Sequence, residues 1–499
     1  MTENPEFLLS THETRAADAR AESTGLPVSR LMENAGRAIA ACLAGARWKG
    51  ASVAILGGPG NNGGDGYVAA RLLAERGHGV TVFAEAPPNG GAAAEMARLW
   101  RGPVQPLASF SPAGWSVTID ALYGSGLNRP IKGVTAEAIL RLNAGDSHVI
   151  AVDIPSGLNG DSGQPTGTVV EADETITFFT RKPGHWLWPG RQLCGALHVA
   201  DIGLSASHLD SPPRLFRNTP ALWRGEIRPR DAASHKYRNG AVLVVSGPEF
   251  STGAARLSAQ GALHAGAGAV TLCGDPAALR VHAAHVSAIM LREAAGPAEF
   301  VHLLDEGRFD GVVIGPAAGV DEPTEARLRA LLARPLPAVL DADAITVLAG
   351  KLALFPRDGT LRRVLTPHEG EFARLFGREL GRDAAFAALP PALQASKVEK
   401  ARAAARLCGE IVVYKGPDTV IAAPDGRAAI NTNAGPELAT AGSGDVLAGI
   451  IAAHLASGMP AFEAACAGVW LHGHCGGEFG VGLTAERLVD ILRPLAAFI

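Results

Sequence analysis

Ala51-Ser52-Val53-Ala54-Ile55-Leu56 runs directly into Gly57-Gly58-Pro59-Gly60-Asn61-Asn62-Gly63-Gly64-Asp65-Gly66. The apolar run predicts a short strand over 51–56, the glycines a tight turn, 67–76 a helix and 80–85 a second strand. Strand, glycine turn, helix, strand is one βαβ unit of a doubly wound parallel sheet. Gly58-x-Gly60-x-x-Gly63 matches the dinucleotide fingerprint, and Glu85 follows the second strand. The loop departs from an ordinary fingerprint, because Asn61, Asn62 and Asp65 put polar side chains where such loops are bland. These groups are aimed at a polar ligand or an ion, or they serve the turn itself, since Asn accepts left-handed backbone angles.

Two further apolar strands end in aspartate. Val117-Thr118-Ile119-Asp120 precedes Ala121-Leu122-Tyr123-Gly124-Ser125-Gly126-Leu127-Asn128-Arg129-Pro130, and His148-Val149-Ile150-Ala151-Val152-Asp153 precedes Ile154-Pro155-Ser156-Gly157. In an open parallel sheet the carboxyl ends of the strands line one crevice, where ligands bind. Asn61, Asn62, Asp120 and Asp153 would all face it. One strand-end Asp is more often a turn former; three strand ends bringing oxygen groups together favour a site. Oxygen ligands suit a hard cation and not zinc. Upstream, residues 10–48 read as helices, with Leu31, Met32, Ala35, Ala38 and Ile39 at helical spacing.

The chain has 499 residues, too many for one core, so two or three domains are expected. A formal charge of -4 gives no long-range attraction to nucleic acid or an anionic membrane. Six scattered cysteines without CxxC spacing indicate neither a zinc knuckle nor a disulfide framework, and a reducing cytoplasm is expected. Residues 1–23 carry Glu3, Glu6, Glu13 and Asp18 and no apolar segment, unlike a secretory signal or a transit peptide. No apolar run is long enough to span a bilayer.

Residues 204–230 are rich in Pro and Arg without clear periodicity, and Ser211-Pro212-Pro213-Arg214 is the expected linker core. Strand patterns restart at 241–245 and recur at 269–272, 311–314, 338–340, 363–365 and 411–414, alternating with helices such as 256–265. This predicts a second parallel α/β sheet with its loops at the carboxyl edge. Those loops are Ser246–Ala255, Gly315-Pro316-Ala317-Ala318-Gly319, Asp341-Ala342-Asp343-Ala344, Thr366-Pro367-His368-Glu369-Gly370-Glu371-Phe372 and Lys415-Gly416-Pro417-Asp418-Thr419. The two halves share no motif, so two different domains are fused and no repeat is present.

Near the end stands Ala439-Thr440-Ala441-Gly442-Ser443-Gly444-Asp445-Val446-Leu447-Ala448-Gly449-Ile450-Ile451. Gly442-Ser443-Gly444 reads as a tight turn, and Asp445 opens an apolar helix. The first amides of a helix lack internal partners and its dipole is positive there, so a phosphate can sit on them where glycines leave room. A carboxylate beside that phosphate can take the proton from a substrate hydroxyl as its oxygen meets phosphorus. The alternative is an N-capping Asp on a buried helix. The sequence contains no GxxxxGK[ST] and no HRD or DFG set, which excludes a P-loop NTPase and a protein kinase.

In the first half, residues 31–36, 60–71, 120–130 and 152–157 resemble the NAD(P)H-hydrate epimerase family, whose Rossmann-like domain interconverts the R and S forms of hydrated NADH and NADPH. The resemblance implies hydrate contacts from Asn61, Asn62, Gly63, Gly64, Asp65, Gly124, Ser125, Gly126, Leu127, Asn128, Arg129, Pro130 and Asp153, and a K+ ion held by Asn62, Asp120 and Ser156. Asp153 is expected, from its position, to be the acid/base group. In the second half, the Gly-x-Gly-Asp turn is similar to the ribokinase superfamily. Within it, residues 366–372, 415–419 and 433–451, with His235-Lys236-Tyr237-Arg238-Asn239-Gly240, resemble the ADP-dependent NAD(P)H-hydrate dehydratase family.

That second resemblance implies nucleotide contacts from Lys415, Gly416, Pro417, Asp418, Thr419 and Gly444, and hydrate contacts from Ala254, Gly319, His368 and Asp445, with Asp445 as base and Mg2+ accompanying ADP. From residue type alone, Lys415 could be a solvated surface lysine and His368 a turn or packing histidine. Ala317 stands where the family has glycine, and the 246–253 loop lacks a methionine common there. The expected architecture is therefore α/β with two domains: an N-terminal Rossmann-like doubly wound sheet (1–212, epimerase) and a C-terminal ribokinase-like domain (222–499, dehydratase). The expected partners are the small molecules NADHX, NADPHX and ADP, in a cytoplasmic homo-oligomer. Two alternatives stand beside this reading: a ribokinase-class small-molecule kinase fused to a regulatory domain, and a first domain that is only a nucleotide-binding module.

Overall fold

The computed structural model describes residues 6–228, 239–357 and 359–498. The chain divides into two units: Phe7–Pro213 with Pro390–Ser396, and Arg214–Leu389 with Lys397–Ile499 and Glu6. Of the His235-to-Gly240 motif, His235, Lys236, Tyr237 and Arg238 lie outside the described residues.

The first unit is built on seven parallel strands: β1 (Ser52–Gly57), β2 (Gly79–Ala84), β3 (Val104–Pro106), β4 (Val117–Ala121), β5 (His148–Val152), β6 (Glu174–Phe178) and β7 (Ala196–Ala200). Their order is β3-β2-β1-β4-β5-β6-β7, so the winding reverses between β1 and β4. Side chains alternate across a strand, and β1 shows it. Val53 and Ile55 enter a core with Leu31, Met32, Ile39 and Val68 on one face. Ala54 and Leu56 enter another with Phe83, Phe110, Ile139 and Leu142 on the other. Burial on both faces is what a parallel sheet requires, and each such aliphatic side chain contributes about 1.5–3 kcal/mol.

The helix expected over 67–76 starts earlier: it spans Asn61–Glu75, with Gly60 as its cap. Gly63, Gly64 and Gly66, which read as part of the turn, thus lie in the first helical turns, while Gly58 and Gly60 remain in the turn before them. A Cβ on Gly63 would lie 1.9 Å from the Gly58 carbonyl oxygen, and one on Gly66 would lie 2.6 Å from Ala121 Cβ. Close packing against β1 and β4 overrides the roughly 1 kcal/mol that each helical glycine costs.

The second unit carries β8 (Leu215–Arg217), β9 (Ala241–Val245), β10 (Ala269–Gly274), β11 (Met290–Glu293), β12 (Gly311–Ile314), β13 (Ala338–Leu340), β14 (Arg363–Leu365), β15 (Ile411–Tyr414), β16 (Val420–Ala422) and β17 (Ala428–Ile430). They form one sheet in the order β11-β10-β9-β12-β13-β14-β15-β16-β17-β8. Neighbours from β11 to β15 are parallel, and β16 runs antiparallel to both of its partners. The wholly parallel expectation therefore fails at this end, where residues 415–419 form a hairpin loop and do not lead into a helix. The segment read as a patternless linker contains β8, which pairs with β17. Leu215-Phe216-Arg217 lies among Pro and Arg and forms no apolar run that would mark a strand.

The helix Ser443–Ala456 is buried on almost every side. It crosses the helix Gly253–Ala265 at glycine contacts: a Cβ on Gly449 would lie 1.9 Å from the Ser258 carbonyl oxygen. No helix among the described residues is long and apolar enough to cross a membrane. All six cysteines are free. Among the described residues, four non-glycine residues have left-handed backbones: Asp153 (φ 66), Phe179 (φ 64), Ala317 (φ 53) and Ala342 (φ 47). All four lie just past the carboxyl ends of β5, β6, β12 and β13. Such strain costs about 1–3 kcal/mol each and gathers at functional rims.

Candidate active sites

In the first unit a cavity of about 500 Å³ opens at the carboxyl edge of the sheet. Asn61, Asn62, Asp65, Gly124, Ser125, Gly126, Leu127, Asn128, Arg129 and Asp153 line it. Gly63, Gly64 and Pro130 do not; a Cβ on Gly64 would meet Met32 Sδ at 2.5 Å and Ala93 Cα at 2.8 Å, so its place is set by packing.

Asp153 forms part of the cavity wall. Its Oδ1 accepts from Lys182 Nζ at 2.7 Å and from Thr177 Oγ1 at 3.2 Å, and its Oδ2 accepts the Ser125 amide at 2.8 Å. Burial alone would raise this carboxyl, but Lys182 and the Ser125 amide outweigh it and hold Asp153 well below the usual carboxylate range. Lys182 is itself buried, at 2 % side-chain exposure. His185 accepts the Lys182 amide at Nδ1, so Nε2 carries the hydrogen and donates to the Asp153 carbonyl. Burial, then Lys182, push His185 down to about 4, so the ring is neutral. Two other carboxyls in the cavity go the opposite way. Burial, with repulsion from Asp153, raises Asp65 well above the ordinary range. Burial pushes Asp18 up to about 6.

Asp120 and Ser156 meet beside this cavity. Asp120 accepts from Ser156 Oγ at 2.7 Å, the Ser156 amide at 2.8 Å and the Leu122 amide at 3.2 Å. These partners are all neutral, and burial pushes Asp120 up to about 6. Asn62 is 8 % exposed, and its Nδ2 is buried without a hydrogen-bond partner. Turning that amide would cost no hydrogen bond and would present Oδ1. A buried carboxylate without a cationic partner and an adaptable amide oxygen fit a hard cation.

Lys182, Thr177, His185 and Asp18 were not legible as site residues. Lys182 precedes a Pro-Gly turn past the end of β6, which is a faint signal. Asp18 occupies the same helix as buried Ala17 and Ala21, where an acid is out of pattern.

In the second unit Asp445 is the third residue of its helix, not the residue that opens it. Gly442 caps the helix without a side-chain bond, with φ 87, which excludes the capping role for Asp445. The first i→i−4 bond runs from the Val446 amide to the Gly442 carbonyl, so the Gly444 and Asp445 amides precede the helical ladder. Ser258 Oγ donates to the Asp445 carbonyl at 2.8 Å, and His472 Nε2 lies 2.9 Å from the Ser443 carbonyl, fixing the turn. A Cβ on Gly444 would stand 3.4 Å from Lys415 Nζ, so the lysine head lies over the first turn.

Lys415 pairs with Asp341 at 2.9 Å. Burial opposes its charge, but Asp341, Glu371 and Asp445 overcome this, and the net direction is upward. Lys415 is thus no solvated surface lysine. Burial, then repulsion from Asp341, push Asp445 up to about 6 against the pull of Lys415.

The other expected residues divide. Lys415, Gly416 and Pro417 are accessible, whereas Asp418 is tied to Lys397 at 2.6 Å and Thr419 Oγ1 to the Gly416 carbonyl at 2.9 Å. His368 caps the helix Glu369–Leu380, its Nδ1 accepting the Gly370 amide at 3.0 Å, so it has a structural duty while its side chain stays 55 % exposed. Ala254 is half-buried in the helix Gly253–Ala265. Gly319 has φ 92 and gives its amide to Asp343. Phe372 stacks on Tyr414 at 3.8 Å, and Tyr414 donates to Glu369 at 2.6 Å, bracing the loops that carry His368 and Lys415. Among the described residues no cluster of three acidic, His or Cys side chains could hold a metal by itself. A divalent ion here would therefore need a ligand's phosphates as well.

Two α/β units, one with a dinucleotide-type turn over a carboxylate-lined cavity and one with an acid and a lysine at a helix mouth, give the chain two candidate sites. Residues 242–493 match the NAD(P)H-hydrate dehydratase family, and residues 28–184 match the YjeF-related protein N-terminus family. The bifunctional NAD(P)H-hydrate repair enzyme Nnr of Thermofilum pendens is 37 % identical over 95 % of this chain and 92 % of its own length. Those of Coxiella burnetii (34 %, over 98 % and 99 %) and Escherichia coli (32 %, over 95 % and 91 %) are similar throughout. The solved ADP/ATP-dependent NAD(P)H-hydrate dehydratase from Bacillus subtilis, co-crystallised with ATP/Mg2+, is 28 % identical, covering 55 % of this chain and 95 % of that one with a TM-score of 0.47. The chain belongs to the family of bifunctional NAD(P)H-hydrate repair enzymes.

Proposed function

We propose that this chain restores hydrated NADH and NADPH in two steps, epimerising the R and S hydrates in the first unit and dehydrating the S form in the second with ADP as phosphoryl donor. The observation that carries the reading is Asp445 at the mouth of its helix, with the Lys415 head over the same turn. Asp445 takes the proton of the hydrate's hydroxyl as that oxygen attacks the terminal phosphorus of ADP, and AMP departs. The carbon–oxygen bond then breaks, phosphate leaves with the electron pair, and loss of the neighbouring ring proton restores the double bond. Hydroxide leaves poorly and phosphate leaves well, which is why the detour through phosphate serves the reaction. Lys415, Gly416, Pro417 and Gly444 face the nucleotide, Asp418 and Thr419 shape its loop, and Ala254, Gly319 and His368 border the hydrate. Mg2+ carried in with ADP would neutralise charge on the transferred phosphoryl group.

In the first unit Asp153 is the acid/base group, kept ionised by Lys182 so that it accepts a proton first. The hydroxyl-bearing carbon also bonds the ring nitrogen. Removing the hydroxyl proton lets the oxygen form an aldehyde as the carbon–nitrogen bond breaks; the bonding pair goes to the ring nitrogen, which takes up the proton that Asp153 removed, and attack of that nitrogen on the other face of the aldehyde, with the proton passed back to oxygen, inverts the centre. Asn61, Asn62, Asp65, residues 124–129 and Asp153 bound the hydrate, with Gly63 and Gly64 placing the helix beneath it and Pro130 ending the loop outside the cavity. K+ held by Asn62, Asp120 and Ser156 would balance the buried charge of Asp120. The chain is expected to work as a cytoplasmic homo-oligomer, which cell fractionation and light scattering check.

Asp120→Ala is expected to weaken the potassium dependence of epimerisation severalfold and to leave dehydration of pure S hydrate intact. An unchanged potassium response in a titration would remove Asp120 from the ion site. The two steps also differ in pH response. A protonated Asp445 cannot accept the hydroxyl proton, and its carboxyl is pushed up to about 6. Dehydratase kcat/KM should therefore be flat above that value and fall about tenfold per unit below it. A profile level down to the ordinary carboxylate range would contradict Asp445 as base.

A further inference from the structure

The fingerprint turn of the first unit does more than the catalytic reading uses. A Cβ on Gly58 would lie 1.7 Å from the Leu122 carbonyl oxygen, whereas one on Gly60 would meet nothing within 4 Å. The turn is thus sealed against the protein at Gly58 and open to a ligand at Gly60. It stands where the winding reverses between β1 and β4, the place at which such sheets bind dinucleotides. The large cavity touches the Gly60 side. A second cavity of about 160 Å³ touches the other side, lined by Gly57, Gly58, Pro59, Glu85, Leu107 and Thr135 among others. Leu122 and Tyr123 border both.

Glu85 follows β2, next to β1 in the sheet. This is the position from which an acid reads a ribose in a dinucleotide fold. Thr135 Oγ1 donates to its Oε2 at 3.0 Å, which orients the carboxylate and leaves Oε1 for another donor. The lining of this cavity includes no lysine or arginine that could receive a phosphate.

We propose that the hydrated dinucleotide lies across the Gly58–Gly60 turn, with its nicotinamide end in the large cavity and its adenosine ribose in the small one, where Glu85 accepts the 2′-hydroxyl and disfavours a 2′-phosphate. The inference rests on the epimerase reading for the identity of the ligand. It makes the first unit selective for hydrated NADH over hydrated NADPH.

The test measures R-to-S interconversion of each hydrate by the full chain without ADP, for the unaltered protein and for Glu85→Gln. The unaltered protein should favour hydrated NADH by about tenfold in kcat/KM, since a carboxylate and a phosphate a few ångströms apart repel. Glu85→Gln should close most of that gap, chiefly through KM for hydrated NADPH. Equal kcat/KM for the two hydrates, or a Glu85→Gln loss common to both, overturns the proposal. So does an Arg129→Ala loss confined to hydrated NADPH, which would put the 2′-phosphate at the mouth of the large cavity. A second readout is the binding of ADP-ribose against its 2′-phosphate, scored as the change caused by Glu85→Gln. If neither hydrate is interconverted, the epimerase reading fails, and this binding still decides the ribose subsite: a Glu85-dependent preference supports it and its absence overturns it.

Discussion

Asp445→Asn is expected to slow dehydration of the S hydrate by about 10²–10⁴-fold, the usual contribution of a positioned general base. R/S interconversion should persist. The substitution keeps the shape of the side chain and removes only its capacity to take a proton. Folding should survive, because Lys415 keeps its 2.9 Å pair with Asp341 and the turn keeps its bonds from Ser258 and His472. The lost charge near the helix N-terminus changes stability by about 0.3–1 kcal/mol, offset by relief of the repulsion from Asp341 and Glu371. A folded variant that lost both activities equally would contradict two separate sites. One that kept dehydration would remove Asp445 from the chemistry.

The second large effect lies in the other unit. Lys182→Met leaves the Asp153 carboxylate buried without its cation, and breaking a buried pair in this way costs about 3–5 kcal/mol. Epimerisation should be lost, while dehydration of pure S hydrate remains wherever the protein is folded. Asp153→Asn together with Lys182→Met should recover most of the stability and none of the epimerisation, since neutral partners remove the stranded charge. The pH dependence has a definite sign. The folded-state pKa of Asp153 is lowered from 3.8, so the stability it contributes is present above that value and is shed as the pH falls below it toward the folded pKa. The difference between the unaltered protein and Lys182→Met in denaturant unfolding should therefore be largest at neutral pH, begin to narrow at mildly acidic pH as the stranded carboxyl of the variant, raised by burial, takes up a proton, and narrow further below about 4 as the unaltered protein sheds its own contribution. Equal stability at neutral pH would show that the 2.7 Å pair is not holding Asp153.

Much of this arrangement was legible in the chain. Strand-end aspartates, the Gly58–Gly63 fingerprint and the Gly442–Asp445 turn are local patterns, and local patterns carry their own physics: backbone room at glycine, free amides at a helix start, carboxylates at the open edge of a sheet. What stayed hidden depends on distant partners. Lys182 meets Asp153 across 29 residues, and Asp341 meets Lys415 across 74, so neither pair leaves a periodic or short-range trace. The helix start at Asn61 was missed because six residues containing three glycines look like a turn until β4 is seen to need their missing side chains. β8 escaped because its three residues lie among Pro and Arg with no apolar run, and the β16–β17 hairpin because the loop at 415–419 was read as one more crossover of a parallel sheet.

The most direct measurement is turnover of a mixed R and S hydrate by the purified full chain with ADP, followed by the absorbance of the reduced nicotinamide together with released AMP and phosphate. Two working sites predict recovery of all the hydrate, with one AMP and one phosphate per reduced nicotinamide formed. Recovery that stops at the S fraction, or a stable phosphorylated hydrate in place of reduced cofactor, would contradict the account.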